Sequence, residues 1–289
     1  MEYYIHLAII ICIYSILSQG LNLNFGLGGM FNLAHIASYA IGAYTTAIFS
    51  LDYELSFFIV IVLSAIMPCF LALLLGAISL RLTLDYFAIG TIAFSSVITA
   101  LLINWKSLTR GVLGIPGIPR PEIFSYEFAS NTSFLILVFS FAVMINLFLY
   151  ILFKSQYSRT LRAQSEFLQA TQSLAKNAIQ ARLVSFLIAS ATAGIAGSFF
   201  AYYINYIDPS SFSFQEMIFV FTIIIIGKPG SFFGNILATI FLVLLPEPLR
   251  FLDIPSSILG PMRQMLYAVI LIFFVFINRK NLFPVQRQV

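Results

Sequence analysis

The chain has 289 residues, 60% of them hydrophobic and only 9% charged, with a net charge of +4. An average soluble domain carries about 25% charged residues, and 31 phenylalanines cannot all be buried in a water-soluble globule of this size. The composition excludes an ordinary soluble domain and predicts an all-α, polytopic transmembrane helix bundle in one domain, residues 1–289.

In chain order, Tyr3–Leu51, Leu55–Leu80, Tyr86–Trp105, Phe128–Phe153 and Leu183–Ile207 contain no Asp, Glu, Lys or Arg. A bilayer core needs roughly 20 apolar residues per helix. Nine spans (eight to ten) are readable, at about 3–20, 26–50, 56–80, 85–105, 132–153, 183–206, 213–227, 231–249 and 263–278. The first uncharged run holds 49 residues, enough for two spans divided near Gly20–Asn24. The seventh and ninth are short, with Glu216 and Arg263 near their ends, where such side chains can snorkel to the interface. Met1-Glu2 opens the chain without the basic region of a cleavable signal.

The basic residues predict the sidedness. With the N-terminus outside and the C-terminus inside, Arg81, Lys154, Arg159, Arg162, Lys176, Arg182, Lys228, Arg279, Lys280 and Arg287 face the cytoplasm. Lys106, Arg110, Arg120, Arg250 and Arg263 then fall outside, and the reverse orientation would violate the positive-inside rule. Anionic headgroups account for the net positive charge, so no nucleic-acid partner is expected.

The second segment, "FGLGGMFNLAHIASYAIGAY" at Phe25–Tyr44, is unusual for a span. Glycine costs roughly 1 kcal/mol against alanine inside a helix, so Gly26, Gly28 and Gly29 predict a discontinuous helix. Such a break survives at membrane depth only against protein or a watery cavity. Close helix packing is the commoner use of such glycines. Asn22, Asn24, Asn32 and His35 add uncharged polarity, and Thr91, Ser95 and Ser96 follow on the fourth span. The hydroxyls either face a polar path or bond back to their own helix. Gly26-x-x-Gly29-x-Phe31 has a faint echo in Gly227-x-x-Gly230-x-Phe232, as in transporters built from repeats.

Absences narrow the chemistry. "GKPGSFFG" at Gly227–Gly234 lacks both the upstream glycine and the hydroxyl residue of a nucleotide-binding loop. Two histidines and two cysteines cannot assemble a zinc cluster, and no cofactor is expected. No apolar run carries a mid-membrane charge of the kind an ion-driven pump needs. An enzyme would need an activated nucleophile or a metal, and His35 has no nearby acid in sequence to orient it. A self-powered carrier or membrane-embedded enzyme thus remains the competing class, and energy supplied by another polypeptide fits better. Residues 154–182 read as a cytoplasmic loop with helical order, which is unusual unless functional. Phe167, Ala170, Leu174 and Ala178 share one face, suited to headgroups or to a partner protein.

At these residues the chain resembles the LivM-type permease subunits of branched-chain amino-acid ATP-binding-cassette importers. The matching pieces, in order, are "LNLNFGLGGMFNLAHIASYAIGAYTTA", "LTLDYFAIGTIAFSSVITALLINW", "LTRGVLGIPGIPRP", "LRAQSEFLQATQSLAKN", "AYYINYIDPSSFSF" and "MRQMLYAVILIFFVFINRKNLF". The departures are a coupling loop with Phe167 and Leu168 in place of polar residues and Ala175 in place of a glycine. The family's G-G-x-G-S turn reads Gly227-Lys228-Pro229-Gly230-Ser231. The resemblance implies a bacterial inner-membrane permease working with a second homologous permease, two cytoplasmic ATP-binding subunits and an external substrate-binding protein. It implies a path for branched-chain amino acids, urea or amides, and Asn32, His35, Thr91, Ser95 and Ser96 are uncharged hydrogen-bonding groups suited to such a small polar solute. It also implies ATPase coupling through Arg162, Glu166, Phe167 and Leu174.

Overall fold

A computed structural model describes residues 2–79, 84–123, 126–166, 171, 178–248 and 256–282. The long helices are α1 (Glu2–Asn22), α2 (His35–Leu51), α3 (Phe57–Ser79) and α4 (Leu84–Asn104), and the fifth helix, α5 (Lys106–Thr109), is a single turn. They continue as α6 (Asn131–Lys154), α7 (Gln156–Glu166), α8 (Ala178–Ile204), α9 (Phe214–Ile226), α10 (Phe232–Leu244) and α11 (Ser256–Leu282). Among the described residues, strand structure is confined to four dipeptides in the loops: β1 (Ile115–Pro116), β2 (Glu122–Ile123), β3 (Tyr126–Glu127) and β4 (Tyr206–Ile207).

Among the described residues, six helical stretches are long and apolar enough to cross a membrane: Glu2–Leu27, Phe57–Gly76, Tyr86–Asn104, Asn131–Lys154, Ile179–Ile204 and Gly260–Ile277. Three other expected spans are shorter. The second has 17 helical residues, while α9 and α10 have 13 each. Thirteen residues rise only about 20 Å, against a hydrocarbon core of roughly 30 Å.

The centre of the bundle is α8, packed between α2 and α3 with α1 beside it. Small residues allow this. A Cβ on Gly42 would fall 2.2 Å from the Gly194 carbonyl, and one on Gly194 would fall 2.0 Å from that of Ser64. Three helix backbones therefore meet at van der Waals range, the closeness that holds helices together where lipid removes the hydrophobic drive. Outward faces are apolar instead: Phe58, Ile66 and Phe70 on α3, Ile136 and Phe139 on α6, and Val269, Ile272 and Phe276 on α11 are exposed. An apolar surface this wide needs lipid or a partner against it.

At one end of the bundle the loops are pinned. β1 pairs antiparallel with β4, Ile115 opposite Ile207. Arg120 donates to Asn131 Oδ1 at 3.0 Å and lies over the rings of Phe134 and Tyr203 at 5.0 and 5.6 Å. At the other end α7 folds back onto the bundle. Its Leu161 is buried with Leu23 and Leu27, and the Tyr157 hydroxyl donates to the Ala181 carbonyl at 2.6 Å.

Candidate functional site

The broken segment begins where α1 widens into a π-turn at Leu23–Leu27. Helix hydrogen bonding ends at the glycines. The Gly29 N–H reaches the Phe25 carbonyl at 3.1 Å and the Met30 N–H the Asn24 carbonyl at 3.1 Å. Gly29 then adopts φ +64°, a left-handed conformation that a side chain resists. Residues 28–34 are not helical before α2 starts at His35. The expected discontinuity is present, beginning at the glycines and running on to residue 34.

The echo between the Gly26 and Gly227 motifs corresponds to a physical contact. A Cβ on Gly26 would lie 2.2 Å from Gly230 N and 2.1 Å from Asn22 Oδ1. The five-residue turn from Gly227 to Ser231, between α9 and α10, therefore packs backbone to backbone against the break. It carries Lys228 at φ +67° and Gly230 at φ +77°, so lysine occupies a left-handed position that favours glycine. Ser231 caps α10 by accepting from the Gly234 N–H at 3.2 Å.

A polar seam inside the bundle holds this turn to α1. Asn22 Oδ1 accepts from the Gly230 N–H at 2.9 Å, and its Nδ2 donates to the Ser231 carbonyl at 3.1 Å. Gln19 Nε2 donates to the Phe232 carbonyl at 2.8 Å. One turn back, Ser18 Oγ accepts from Asn235 Nδ2 at 2.9 Å and lies 3.2 Å from the Thr239 hydroxyl. Ser18, Gln19, Asn22, Asn235 and Thr239 are all fully buried. Bonds of this kind join helices that lipid alone would not.

The α7 helix reaches the same place from outside. Arg162 Nη2 donates to the Gly230 carbonyl at 3.0 Å. A Cβ on Gly29 would lie 3.1 Å from the Ser165 Cβ. The sequence places Arg162 on a cytoplasmic loop and gives no sign of this contact with the bundle; Glu166 is exposed, and Phe167 and Leu174 lie outside the described residues.

The expected path residues separate into two groups. His35 is buried beside α1, where its Nε2 donates to the Leu17 carbonyl at 2.9 Å. Asn32 is buried too, its Oδ1 accepting from the Ala34 N–H at 3.1 Å. Thr91 joins the break to α4: its hydroxyl accepts from the Leu33 N–H at 3.2 Å and donates to the Ala88 carbonyl at 2.8 Å. Ser96 bonds back to the Ile92 carbonyl at 3.0 Å. Ser95 and Ser96 line an open cleft of about 740 Å³, together with Leu33, Thr99, Asp208, Ser210, Ser213 and Phe214. Asp208 caps the turn Pro209–Phe212, accepting from the Ser211 N–H at 3.2 Å and from the hydroxyls of Ser210 and Ser211.

Two features escaped the sequence. Glu216, expected to snorkel at a span end, turns inward and accepts from the Tyr14 hydroxyl at 2.8 Å. Tyr14 lies twelve residues into α1, about 18 Å along it, so this half-buried carboxyl sits partway along α1 rather than at its end. Phe31, in the break, packs with Phe25 and Phe221 at ring-centroid distances of 4.5 and 6.0 Å. The Phe31 side of this trio was marked only by its place in the glycine echo.

Known proteins with this sequence pattern agree with one another. The family model for the permease component of branched-chain amino acid transport systems matches residues 3–275. The high-affinity branched-chain amino acid transport system permease protein LivM of Salmonella typhimurium is 35% identical over 269 residues, covering 85% of this chain and 63% of that protein. LivM of Escherichia coli K12 aligns with the same identity and coverage. The chain thus spans less than two thirds of the length of these relatives, and no solved structure matches it. With the six-piece sequence pattern, the broken helix and the family match in agreement, the chain belongs to the family of branched-chain amino acid transport permease components.

Proposed function

We propose that this chain is the membrane-spanning permease subunit of an ATP-binding-cassette importer and forms part of the path for a branched-chain amino acid or a similar small polar solute. It works in the bacterial inner membrane beside a second homologous permease, two cytoplasmic ATP-binding subunits and an external substrate-binding protein. The observation that carries this reading is the contact of α7 with the break: Arg162 holds the Gly230 carbonyl and Ser165 packs on Gly29. A helix beside the expected ATPase face thus grips the two irregular turns that pass through the bundle. The long spans, with α2, α9 and α10, make up the nine-segment arrangement, N-terminus out and C-terminus in.

Along the path, Ser95 and Ser96 offer hydroxyls to a solute in the cleft, while Asn32, His35 and Thr91 hold the shape of the break below it. ATPase coupling falls to Arg162 and Glu166 of α7, and to Phe167 and Leu174 of the same sequence loop.

Uptake into proteoliposomes tests the proposal. Leucine accumulation that needs ATP and the added ATP-binding subunits is expected; gradient-driven uptake by this chain alone overturns it. Cysteines placed at Ser155 and Asp52 test the orientation, because they should react with an impermeant reagent from opposite sides.

A further inference from the structure

Both walls of the cleft converge on one residue, α4 on its backbone and α9 on its ring. On α4, Ser95 lines the cleft, and Thr91, one turn away, contacts the backbone of Phe31 and Leu33. On α9, Phe214 lines the cleft, and Phe221, seven residues on and so on the same helical face, stacks on the Phe31 ring. Leu33 itself forms part of the lining. Following either helix from the cleft therefore leads to Phe31.

The surroundings of Phe31 suit a moving part. Its neighbours Phe25 and Phe221 are 9% and 8% exposed, whereas Phe31 is 39% exposed. Two rings are thus anchored in the bundle, while the third keeps an open side. It is carried by the non-helical residues 28–34, next to Gly29 at φ +64°. The same stretch is gripped from the α7 end through Ser165 against Gly29. Small shifts of α7 consequently reach the Phe31 backbone through a segment without helical stiffness.

We infer that Phe31 is the apolar gate at the floor of the cleft, seated on Phe25 and Phe221, and that it closes the path to small polar solutes until the break moves. An aromatic constriction of this kind blocks water and polar solutes by excluding them from an apolar neck. It also offers a matching surface to the aliphatic side chain of a branched solute as the ring swings aside. This gate rests on the permease reading above, and it adds the residue that seals the path.

The experiment uses the permease with its partner subunits in proteoliposomes, without ATP. Efflux of preloaded labelled leucine is followed together with efflux of urea, which reports an open neck whichever solute the importer carries. Phe31→Ala should release urea about tenfold faster than wild type, since ring contacts of this size correspond to about that factor. Phe31→Tyr, which keeps the ring, should stay sealed with a wild-type melting midpoint, while the midpoint of Phe31→Ala falls only by the lost ring contacts and the protein stays folded. Phe31→Leu serves as a second variant if the alanine protein is not recovered, and should leak to a lesser degree. Wild-type urea retention by Phe31→Ala, or by Phe31→Leu if that protein alone is obtained, overturns the gate. In a separate run with ATP, a wild type that accumulates neither leucine nor urea sinks the transport reading instead, whereas the ATP-free urea comparison decides the gate.

Discussion

Asn22 and Gly230 are separated by 208 positions in the chain, yet the amide oxygen of Asn22 accepts the Gly230 N–H at 2.9 Å while its nitrogen donates to the next carbonyl, that of Ser231. One buried side chain thereby satisfies a donor and an acceptor of the α9–α10 turn. Left unmade, each would cost about 1–3 kcal/mol. Replacing Asn22 by leucine should lower stability by roughly 2–4 kcal/mol, read as a fall in the melting midpoint in detergent. An unchanged midpoint would mean that the turn finds other partners.

Gly26 makes a sharper test of the same contact. Gly26→Ala places a methyl group on Gly230 N, which only backbone movement can relieve, so a loss of about 1–3 kcal/mol is expected together with impaired uptake. Gly260 in α11, by contrast, has open space where a Cβ would stand, with nothing within 4 Å. Gly260→Ala should be neutral or gain up to about 1 kcal/mol from helix propensity. Equal effects at the two sites would remove the argument from close approach.

Lys228 holds a left-handed backbone at φ +67°, which costs an L-residue about 1–2 kcal/mol. Lys228→Gly should stabilise the folded permease by up to about 1 kcal/mol, the gain being reduced by the extra freedom of glycine in the unfolded chain. Thermal unfolding of the purified proteins measures it, and a lower midpoint for the glycine variant would contradict the strain.

Arg162 is exposed, so its bond to the Gly230 carbonyl adds little stability. Its expected importance lies in transmission. Arg162→Ala should leave the melting midpoint within about 1 kcal/mol equivalent of wild type and preserve ATP hydrolysis, while uptake per ATP hydrolysed falls. Unaltered uptake per ATP would leave this bond without a coupling role.

Asp208 connects the loop end to pH. Burial raises its carboxyl, but hydrogen bonds from Ser210 and Ser211 outweigh burial and hold it below the usual value. A depressed native pKa means that the ionised form is the stabilised one. Its contribution is therefore complete above the ordinary carboxylate range and is lost as pH falls through the depressed value. Asp208→Ala should cost about 1 kcal/mol near neutral pH as a lost cap. The difference from wild type should shrink in acid, and a pH-independent difference would point to packing alone.

Much of this was legible in the residues themselves. Uncharged runs of about 20 or more residues report a membrane directly, because a bilayer accepts a helix on length and polarity, both local properties of the chain. The break in the second segment was readable for the same reason: Gly26, Gly28 and Gly29 weaken a helix wherever they stand. Six short stretches in the right order carried the family. What Asn22, Arg162 and Phe31 do was not readable, because each acts on a partner far away in sequence. Asn22 reads as one more polar residue until Gly230 arrives beside it, and Arg162 as an expected ATPase-coupling residue whose bond to the Gly230 carbonyl shows only when α7 folds back. Glu216 shows the limit most clearly: its position near a span end predicts snorkelling, and only the packing of α9 against α1 turns it toward Tyr14. Local composition determined where helices form and what solvent they meet; the meeting of distant glycines, which lets two backbones touch, decided where the break and the α9–α10 turn come together.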